Sequence, residues 1–344
     1  SNPAIAGVAF TGSLPTARRI EQAMAQHLSP HAPLIAETGG LNAMVVDTTA
    51  LTEQAVRDII ASAFQSAGQR CSALRILYVQ EEAYERTMEM LKSAMNELAL
   101  GNPWALRTDV GPIIDVAARD KILAYIEARK DRVLHRLEAP EGGTFVAPTV
   151  LRVTGIEEMP EEIFGPVLHV ATFDGDDLGK VISAINASGY GLTFGMHTRI
   201  SSRVKRLADM VHAGNIYVNR NQIGAVVGSQ PFGGEGLSGT GPKAGGPHYL
   251  PRFTHADTTL QSAWIDLPGP TGESNCLHVA PRGTLLCLGP APEDVATQIA
   301  MAEEAGCRFE TREIDLDYLS TGGGFHAVAW FGDDQTLTSL RQAL

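Results

Sequence analysis

One cysteine follows a helix at the end of a short turn of small residues. Residues 64–72 read Phe-Gln-Ser-Ala-Gly-Gln-Arg-Cys-Ser, which places Cys71 shortly after Gly68. The apolar residues before the turn recur at helical spacing: Ala55, Val56, Ile59, Ile60, Ala63 and Phe64. Gly68 is the expected end of that helix. A packed helix would hold the thiol at a fixed point, as nucleophilic attack on a positioned substrate requires, whereas most cysteines are small buried hydrophobes.

A carboxylate precedes two glycines near the start of the chain. The apolar run 34–36 ends at Glu37, and Gly39 and Gly40 follow. Glycine permits close backbone approach and unusual dihedral angles, so the glutamate can project into a cleft. A solvated loop carboxylate is the alternative that the residue types leave open.

A strand, a small-residue turn and a helix are predicted from residue 8 to residue 28. The strand 8–10 runs into Thr11, Gly12 and Ser13, and the helix covers 16–28. Such a turn presents backbone N–H groups and a helix N-terminus, where a pyrophosphate could lie. An ordinary strand-to-helix connection is equally compatible with these residues, and Pro15 is expected to alter the turn.

Strands and helices alternate through most of the chain. Helices are predicted at 82–98, 116–130, 178–187 and 201–212, with strands at 73–79, 167–173, 192–197 and 216–219. This order predicts an α/β fold with an open, largely parallel sheet and helices on both faces. After residue 260, strands at 284–288 and 327–331 and helices at 293–305 and 335–344 predict a second, smaller α/β domain.

Composition excludes several classes of protein. The 344 residues are 44% hydrophobic and 19% charged, which is enough for a packed core, and the net charge of -12 argues against a nucleic-acid surface. The four cysteines lack the spacing of a disulfide framework or a zinc site, so no metal is expected. There is no apolar run long enough to span a membrane, and a free thiol suits a reducing cytoplasm.

Four motifs occur in an order that resembles the aldehyde dehydrogenase family. They are the glutamate motif 37–40, the cysteine turn 64–72, the segment Glu-Glu-Ile-Phe-Gly-Pro-Val at 161–167, and Pro-Phe-Gly-Gly-Glu-Gly-Leu-Ser-Gly at 231–239. The resemblance covers roughly residues 4–260. It implies the fold of that family and NAD as the cofactor.

The resemblance also implies roles for particular residues. Cys71 would be the nucleophile, and Glu37 the general base that hydrolyses the thioester. For the cofactor, Gly12 and Ser13 would lie at the dinucleotide turn, Glu162 would bind the nicotinamide ribose, and Phe164 would pack near the nicotinamide.

A glycine-rich loop at 219–234 narrows the expected substrate. Its glycines can expose consecutive N–H groups to a carboxylate without a basic side chain. The loop resembles the aldehyde-anchor loop of glutamate semialdehyde (Δ1-pyrroline-5-carboxylate) dehydrogenases, particularly that of bifunctional proline utilisation A proteins. The resemblance assigns substrate contacts to Ser72, Gly224, Ala225 and Phe232. An ordinary glycine-rich loop over the active site is the alternative.

The function implied is NAD-dependent oxidation of L-glutamate γ-semialdehyde to L-glutamate, the second step of proline degradation. Two other functions remain open: another NAD(P)-dependent aldehyde dehydrogenase, or a non-catalytic assembly or lid module. A homo-oligomer and an upstream proline dehydrogenase domain are the expected partners, with neither nucleic acid nor a membrane span.

Four domains are expected along the chain. Residues 1–40 would be the remnant of an NAD-binding domain, 41–248 the catalytic domain, 249–262 an oligomerisation strand, and 263–344 a C-terminal α/β extension. The family's oxyanion asparagine and ribose-binding lysine would precede residue 1, so the chain resembles a fragment that is impaired in NAD binding.

Overall fold

The computed structural model describes residue 2 and residues 4–254 and 264–344. The strands are β1 (Val8–Thr11), β2 (Leu34–Glu37), β3 (Ala43–Val46), β4 (Ile76–Gln80), β5 (Val133–Arg136), β6 (Thr149–Arg152), β7 (Val167–Phe173), β8 (Tyr190–Gly191), β9 (Thr193–His197), β10 (Asn215–Val218), β11 (Glu235–Gly236), β12 (Trp264–Leu267), β13 (Asn275–His278), β14 (Thr284–Cys287), β15 (Arg308–Thr311) and β16 (Ala327–Ala329). The helices are α1 (Leu14–His27), α2 (Thr52–Phe64), α3 (Glu81–Asn96), α4 (Val116–Glu127), α5 (Leu178–Ala187), α6 (Ser201–Met210), α7 (Pro292–Glu304), α8 (Leu316–Ser320) and α9 (Asp334–Ala343).

A seven-stranded sheet forms the centre of the fold. Its order is β10-β9-β3-β4-β7-β6-β5, and every pair is parallel except β5 with β6. The predicted α/β fold with a largely parallel sheet is therefore confirmed.

Helices cover both faces of this sheet because side chains alternate along each strand. In β3, Met44 and Val46 join one core with α2, α3 and α4, whereas Ala43 and Val45 join a second core with α5 and α6. Both cores are buried, which explains why β3 and β4 read as continuous apolar runs rather than alternating patterns.

The described residues also form four smaller sheets, which include the two-stranded pairs β11-β8 and β12-β13. Near the N-terminus, β1 pairs in parallel with β2, and α1 packs on them. In the C-terminal part, β15-β14-β16 form a parallel sheet with a small apolar core that includes residues of α8 and α9, as the predicted second α/β unit requires. Arg341 of α9 donates to the carbonyl of Pro30 at 2.6 Å, which joins this unit to the N-terminal segment.

Several predicted boundaries were wrong. The first helix begins at Leu14, because Pro15 occupies its first turn, where a missing N–H costs little. The strand predicted at 73–79 is β4, Ile76–Gln80, and the hairpin of β12 and β13 was not predicted. Of the predicted oligomerisation strand 249–262, residues 249–254 are described and contain a short 3-10 turn at Pro251–Phe253, and residues 255–262 lie outside the described part.

None of the helices in the described ranges is long and apolar enough to cross a membrane. The same ranges hold no group of three or more His, Cys, Asp or Glu side chains that could bind a metal ion.

Candidate active site

The turn before Cys71 is held in an unusual backbone conformation. Helix α2 ends at Phe64 rather than at the predicted Gly68, and Ser66, Ala67 and Gly68 then have φ values of 56°, 53° and 66°. Left-handed conformations of Ser and Ala cost free energy and persist only where the surroundings fix them. At Gly68 a Cβ atom would lie 2.2 Å from the carbonyl oxygen of Gly165, so only glycine fits there.

The side chain of a buried arginine holds this turn in place through hydrogen bonds. Arg75 has no exposed surface, and its Nη1 donates to the carbonyls of Gly68 at 2.7 Å and Gly165 at 3.3 Å. Its Nη2 donates to the carbonyl of Arg70 at 3.0 Å, and Nε and Nη2 donate to Glu162 Oε1 at 3.2 and 2.8 Å. The sequence analysis did not identify Arg75, although a cation inside the apolar run 73–79 is a signal that could have found it.

The candidate residues meet at the amino ends of three adjacent strands. Gly39 and Gly40 precede β3, Cys71 precedes β4, and Glu162 precedes β7. A Cβ atom at Gly39 would lie 1.7 Å from Glu162 Oε2, so the glutamate side chain lies directly against the turn that follows Glu37. The Glu162 carboxylate therefore contacts the turn after Glu37. Its negative charge also raises the pKa of the Cys71 thiol.

The Cys71 thiol is partly exposed, and its surroundings raise its pKa. Burial raises its pKa, and the negative charge of Glu162 raises it further, while the N–H of Ser72 and the charge of Arg75 oppose this. The main-chain carbonyl of Cys71 accepts a 2.6 Å hydrogen bond from Asn42, which fixes the residue to the start of β3. The thiol is therefore well positioned but not activated in advance.

The Glu37 side chain lies under the loop that carries the last of the four motifs. Its Oε2 accepts a 2.9 Å hydrogen bond from the N–H of Gly234, and its Oε1 is buried without a partner among the described residues. Burial raises the pKa of Glu37 to about 7, although the Gly234 N–H and the charge of Lys243 oppose the shift. A carboxylate with this pKa can take a proton from water near neutral pH.

The dinucleotide turn is tied to the same region. The N–H of Gly12 donates to the main-chain oxygen of Glu37 at 3.0 Å. Ser13 is the N-cap of α1, but its hydroxyl bonds Thr16 instead of capping the helix. The first turn of α1 thus has no side-chain cap, and both Gly12 and Ser13 are exposed.

The loop after β10 presents several free amide groups. Within 222–230, the N–H groups of Gly224, Ala225, Val227 and Gly228 have no partner among the described residues, whereas the other N–H groups of this segment are hydrogen-bonded. Gly224 has a φ of 70°, and a Cβ atom there would lie 4.0 Å from Nη1 of Arg70, the residue before Cys71.

The other two predicted substrate contacts lie on either side of this region. Ser72 is buried, and Thr193 donates to its main-chain oxygen at 3.3 Å. Phe232 is half-buried, and its main chain pairs with that of Ala244. Phe232 thus belongs to the segment that also carries Gly234, above Glu37.

Comparison with known proteins decides the family. The model of the aldehyde dehydrogenase family matches residues 1–259. The chain belongs to the aldehyde dehydrogenase family. This agrees with the order of the four motifs and with the central parallel sheet.

Two groups of curated relatives are similar to the chain. The bifunctional protein PutA of Klebsiella aerogenes is 43% identical over 89% of this chain and 28% of the relative. The 1-pyrroline-5-carboxylate dehydrogenase of Bacillus cereus is 38% identical over 74% of this chain and 51% of the relative. The chain therefore spans about a quarter to a half of the length of these proteins.

Solved structures that are similar to the chain belong to the same two groups of proteins. A mutant of Bradyrhizobium japonicum proline utilization A has a TM-score of 0.72 and 54% identity over 73% of this chain and 26% of that one. The 1-pyrroline-5-carboxylate dehydrogenase from Thermus with bound NAD has a TM-score of 0.68 and 36% identity, over 73% of this chain and 50% of that one. The C-terminal unit lies beyond the family match.

The residues present fit the nicotinamide end of NAD. Phe164 is 45% exposed, with the Arg75 guanidinium 5.3 Å from its ring centroid, so the side chain is accessible to a ligand. The Glu162 carboxylate has the chemistry to accept hydrogen bonds from ribose hydroxyls, and the uncapped first turn of α1 suits a phosphate group.

Proposed function

We propose that the protein carrying this chain oxidises L-glutamate γ-semialdehyde to L-glutamate, with NAD as cofactor. The observation that carries the substrate assignment is the pair of unpartnered N–H groups at Gly224 and Ala225, on a loop that faces the residue preceding Cys71. Two adjacent amides bind a carboxylate without a charged side chain. The names of the relatives support the same substrate.

In the proposed mechanism, Cys71 attacks the aldehyde carbon while the loop holds the far carboxylate. Gly224, Ala225 and the hydroxyl of Ser72 would bind that carboxylate, with Phe232 beside the chain of the substrate. Fixing the far end of the substrate places its carbonyl against a nucleophile that is itself immobile, which lowers the entropic cost of attack.

Glu162, Phe164, Gly12 and Ser13 are proposed to hold NAD. When bound, NAD supplies the hydride acceptor for conversion of the Cys71 thiohemiacetal into a thioester. Glu37 then takes a proton from the water that attacks the thioester, and glutamate is released. A pKa raised to about 7 makes Glu37 a stronger base than an ordinary carboxylate while it can still ionise near neutral pH.

The setting of this activity is also proposed from the relatives. PutA relatives carry the word bifunctional in their names, and this chain covers 28% of their length. We propose that a proline dehydrogenase on the same polypeptide supplies the semialdehyde, that the protein forms homo-oligomers, and that it acts in the cytoplasm. The four domain boundaries remain predictions.

Substrate comparison in the full-length protein tests the assignment. We expect NAD-dependent oxidation of glutamate semialdehyde with a kcat/KM at least about a hundredfold above that of propanal, which has no carboxylate for the Gly224 and Ala225 N–H donors to bind. Cys71→Ala should abolish both activities, and Cys276→Ala, an exposed cysteine, should change neither. Equal efficiency with both aldehydes would refute the substrate, and full activity of Cys71→Ala would refute the nucleophile.

A further inference from the structure

One carboxylate from the C-terminal part contacts both ends of the candidate anchor loop. Glu273 lies in the turn between β12 and β13, beyond the residues matched by the family model. Its Oε2 accepts a 2.7 Å hydrogen bond from Nη1 of Arg220, where the loop begins. Its Oε1 accepts a 2.9 Å hydrogen bond from Nε2 of Gln230, where the loop ends.

Gln230 carries this constraint to the middle of the loop. While its Nε2 bonds Glu273, its Oε1 accepts a 3.1 Å hydrogen bond from the N–H of Val226. Val226 directly follows Ala225, whose N–H is free. The side-chain amide of Gln230 therefore links Glu273 to the residue next to the free N–H groups of Gly224 and Ala225.

Neighbouring groups hold Glu273 and Arg220 in place. Asn275 donates to Glu273 Oε1 at 3.1 Å and accepts from Gln230 Nε2 at 3.1 Å. The Arg220 guanidinium lies 5.4 Å from the ring centroid of Tyr217. The side chains of Arg220 and Glu273 are only 25% and 27% exposed, so their charge-assisted hydrogen bonds are stronger than those of a surface ion pair.

We propose that Glu273 is a positioning residue that fixes the loop with the Gly224 and Ala225 N–H groups directed at the substrate carboxylate. The C-terminal extension would then determine the preference for a carboxylate-bearing aldehyde. This inference rests on the proposed function for its substrate, but the fixing of the loop by Glu273 can be measured without catalysis.

Hydrogen exchange measures the effect on the loop directly. In Glu273→Ala, the hydrogen-bonded amides of Val226, Ser229 and Gln230 should exchange about tenfold faster than in the parent, the size expected for loss of a charge-assisted hydrogen bond. Glu273→Gln keeps the acceptor for Gln230 and should give a smaller increase. Glu310→Ala is the matched control, because Glu310 bonds Arg312 and Tyr318 within the same part of the chain. Unchanged exchange in both Glu273 variants overturns the proposal.

Kinetics of the full-length protein test the consequence for specificity. Glu273→Ala should raise KM for glutamate semialdehyde about tenfold with little change in kcat, and leave propanal oxidation unaltered. An equal loss with both aldehydes overturns the specificity role, because general destabilisation would act on both. If the parent protein does not oxidise the semialdehyde, the proposed function fails, and the exchange experiment still decides whether Glu273 fixes the loop.

Discussion

The carboxylate of Glu37 accepts a 2.9 Å hydrogen bond from the main-chain N–H of Gly234, while its second oxygen is buried without a partner in the described part of the chain. Glycines make this contact possible, since a Cβ atom at Gly233 or Gly239 would lie within 2.9 Å of the carboxylate oxygens. The carboxyl is thus enclosed and only weakly stabilised in its charged form, which is why its pKa is raised to about 7.

Thioester hydrolysis should follow the ionisation of Glu37. Only the charged carboxylate can accept a proton, so the hydrolysis rate should rise about tenfold per pH unit below 7 and level off above it. Glu37→Gln should remove this dependence and lower the rate about a hundredfold or more. Rapid-mixing measurement of thioester decay between pH 5 and 9 checks both. A decay rate that is unchanged in Glu37→Gln would exclude Glu37 as the base.

The raised pKa of Glu37 also predicts a pH-dependent stability difference. The pKa of this carboxyl is about 4.5 in the unfolded chain and about 7 in the folded chain. As the pH rises from 4.5 to 7, the folded state is therefore progressively destabilised relative to the unfolded state. Glu37→Gln should therefore unfold at a higher temperature than the parent at pH 8, with a smaller difference at pH 5. Calorimetry at both pH values measures this, and a difference that grows toward pH 5 would contradict the sign.

The charge of Glu162 should slow alkylation of Cys71. Because that carboxylate raises the thiol pKa, Glu162→Gln should increase the thiolate fraction and speed the reaction of Cys71 with iodoacetamide at pH 7.5. Glu161→Gln is the matched control, as Glu161 is exposed and pairs with Lys121. Peptide mass spectrometry follows the rate at Cys71. Slower alkylation in Glu162→Gln than in the control would contradict this electrostatic relationship.

The positive charge of Lys243 should lower the pKa of Glu37. Its ammonium donates to the Gly233 carbonyl at 2.9 Å and to Asn215 at 3.2 Å, and its charge opposes the raised pKa of Glu37. Glu37 and Glu235 are the charged groups that face it, and burial lowers its own pKa to about 8. Lys243→Met should move the midpoint of the thioester decay profile to higher pH, while Lys180→Met, at an exposed lysine, should not. A shift to lower pH would refute this role.

Loss of the Arg75 side chain should strongly reduce the unfolding free energy. Arg75→Met would leave Glu162 and three carbonyl oxygens without their donor, and breaking one partner of a buried pair costs about 3–5 kcal/mol in unfolding free energy. Arg86→Met is the matched control, since Arg86 and Glu53 are exposed and such pairs contribute about 0–1 kcal/mol. Urea unfolding compares the two variants, and an equal cost would contradict the assigned place of Arg75.

Local pattern was sufficient to predict the main elements of the fold. The apolar spacing before Cys71 predicted α2, and the strand and helix alternation predicted the parallel sheet with both faces covered. The end of α2 was less predictable, because Ser66 and Ala67 adopt conformations that their residue types disfavour. Packing against Arg75 and Gly165, which are distant in sequence from one another, imposes those conformations.

The parts that sequence reasoning missed depend on long-range contacts. Arg75 and Glu162 are 87 residues apart, and Arg220 and Glu273 are 53 apart, so no local spacing indicates either pair. The segment 267–275 is rich in glycine and proline and predicts only turns, yet its two ends belong to strands that pair as a hairpin. Hydrogen bonds with the loop after β10 hold this hairpin in position.

Trapping the acyl group on the protein is the most direct test of the central claim. The full-length Glu37→Gln variant, mixed with NAD and glutamate semialdehyde, should accumulate a glutamyl thioester on the peptide that contains Cys71, and hydroxylamine should release it. Cys71→Ala should show no adduct. A glutamyl adduct on another residue, or turnover without any acyl group on Cys71, would contradict the account.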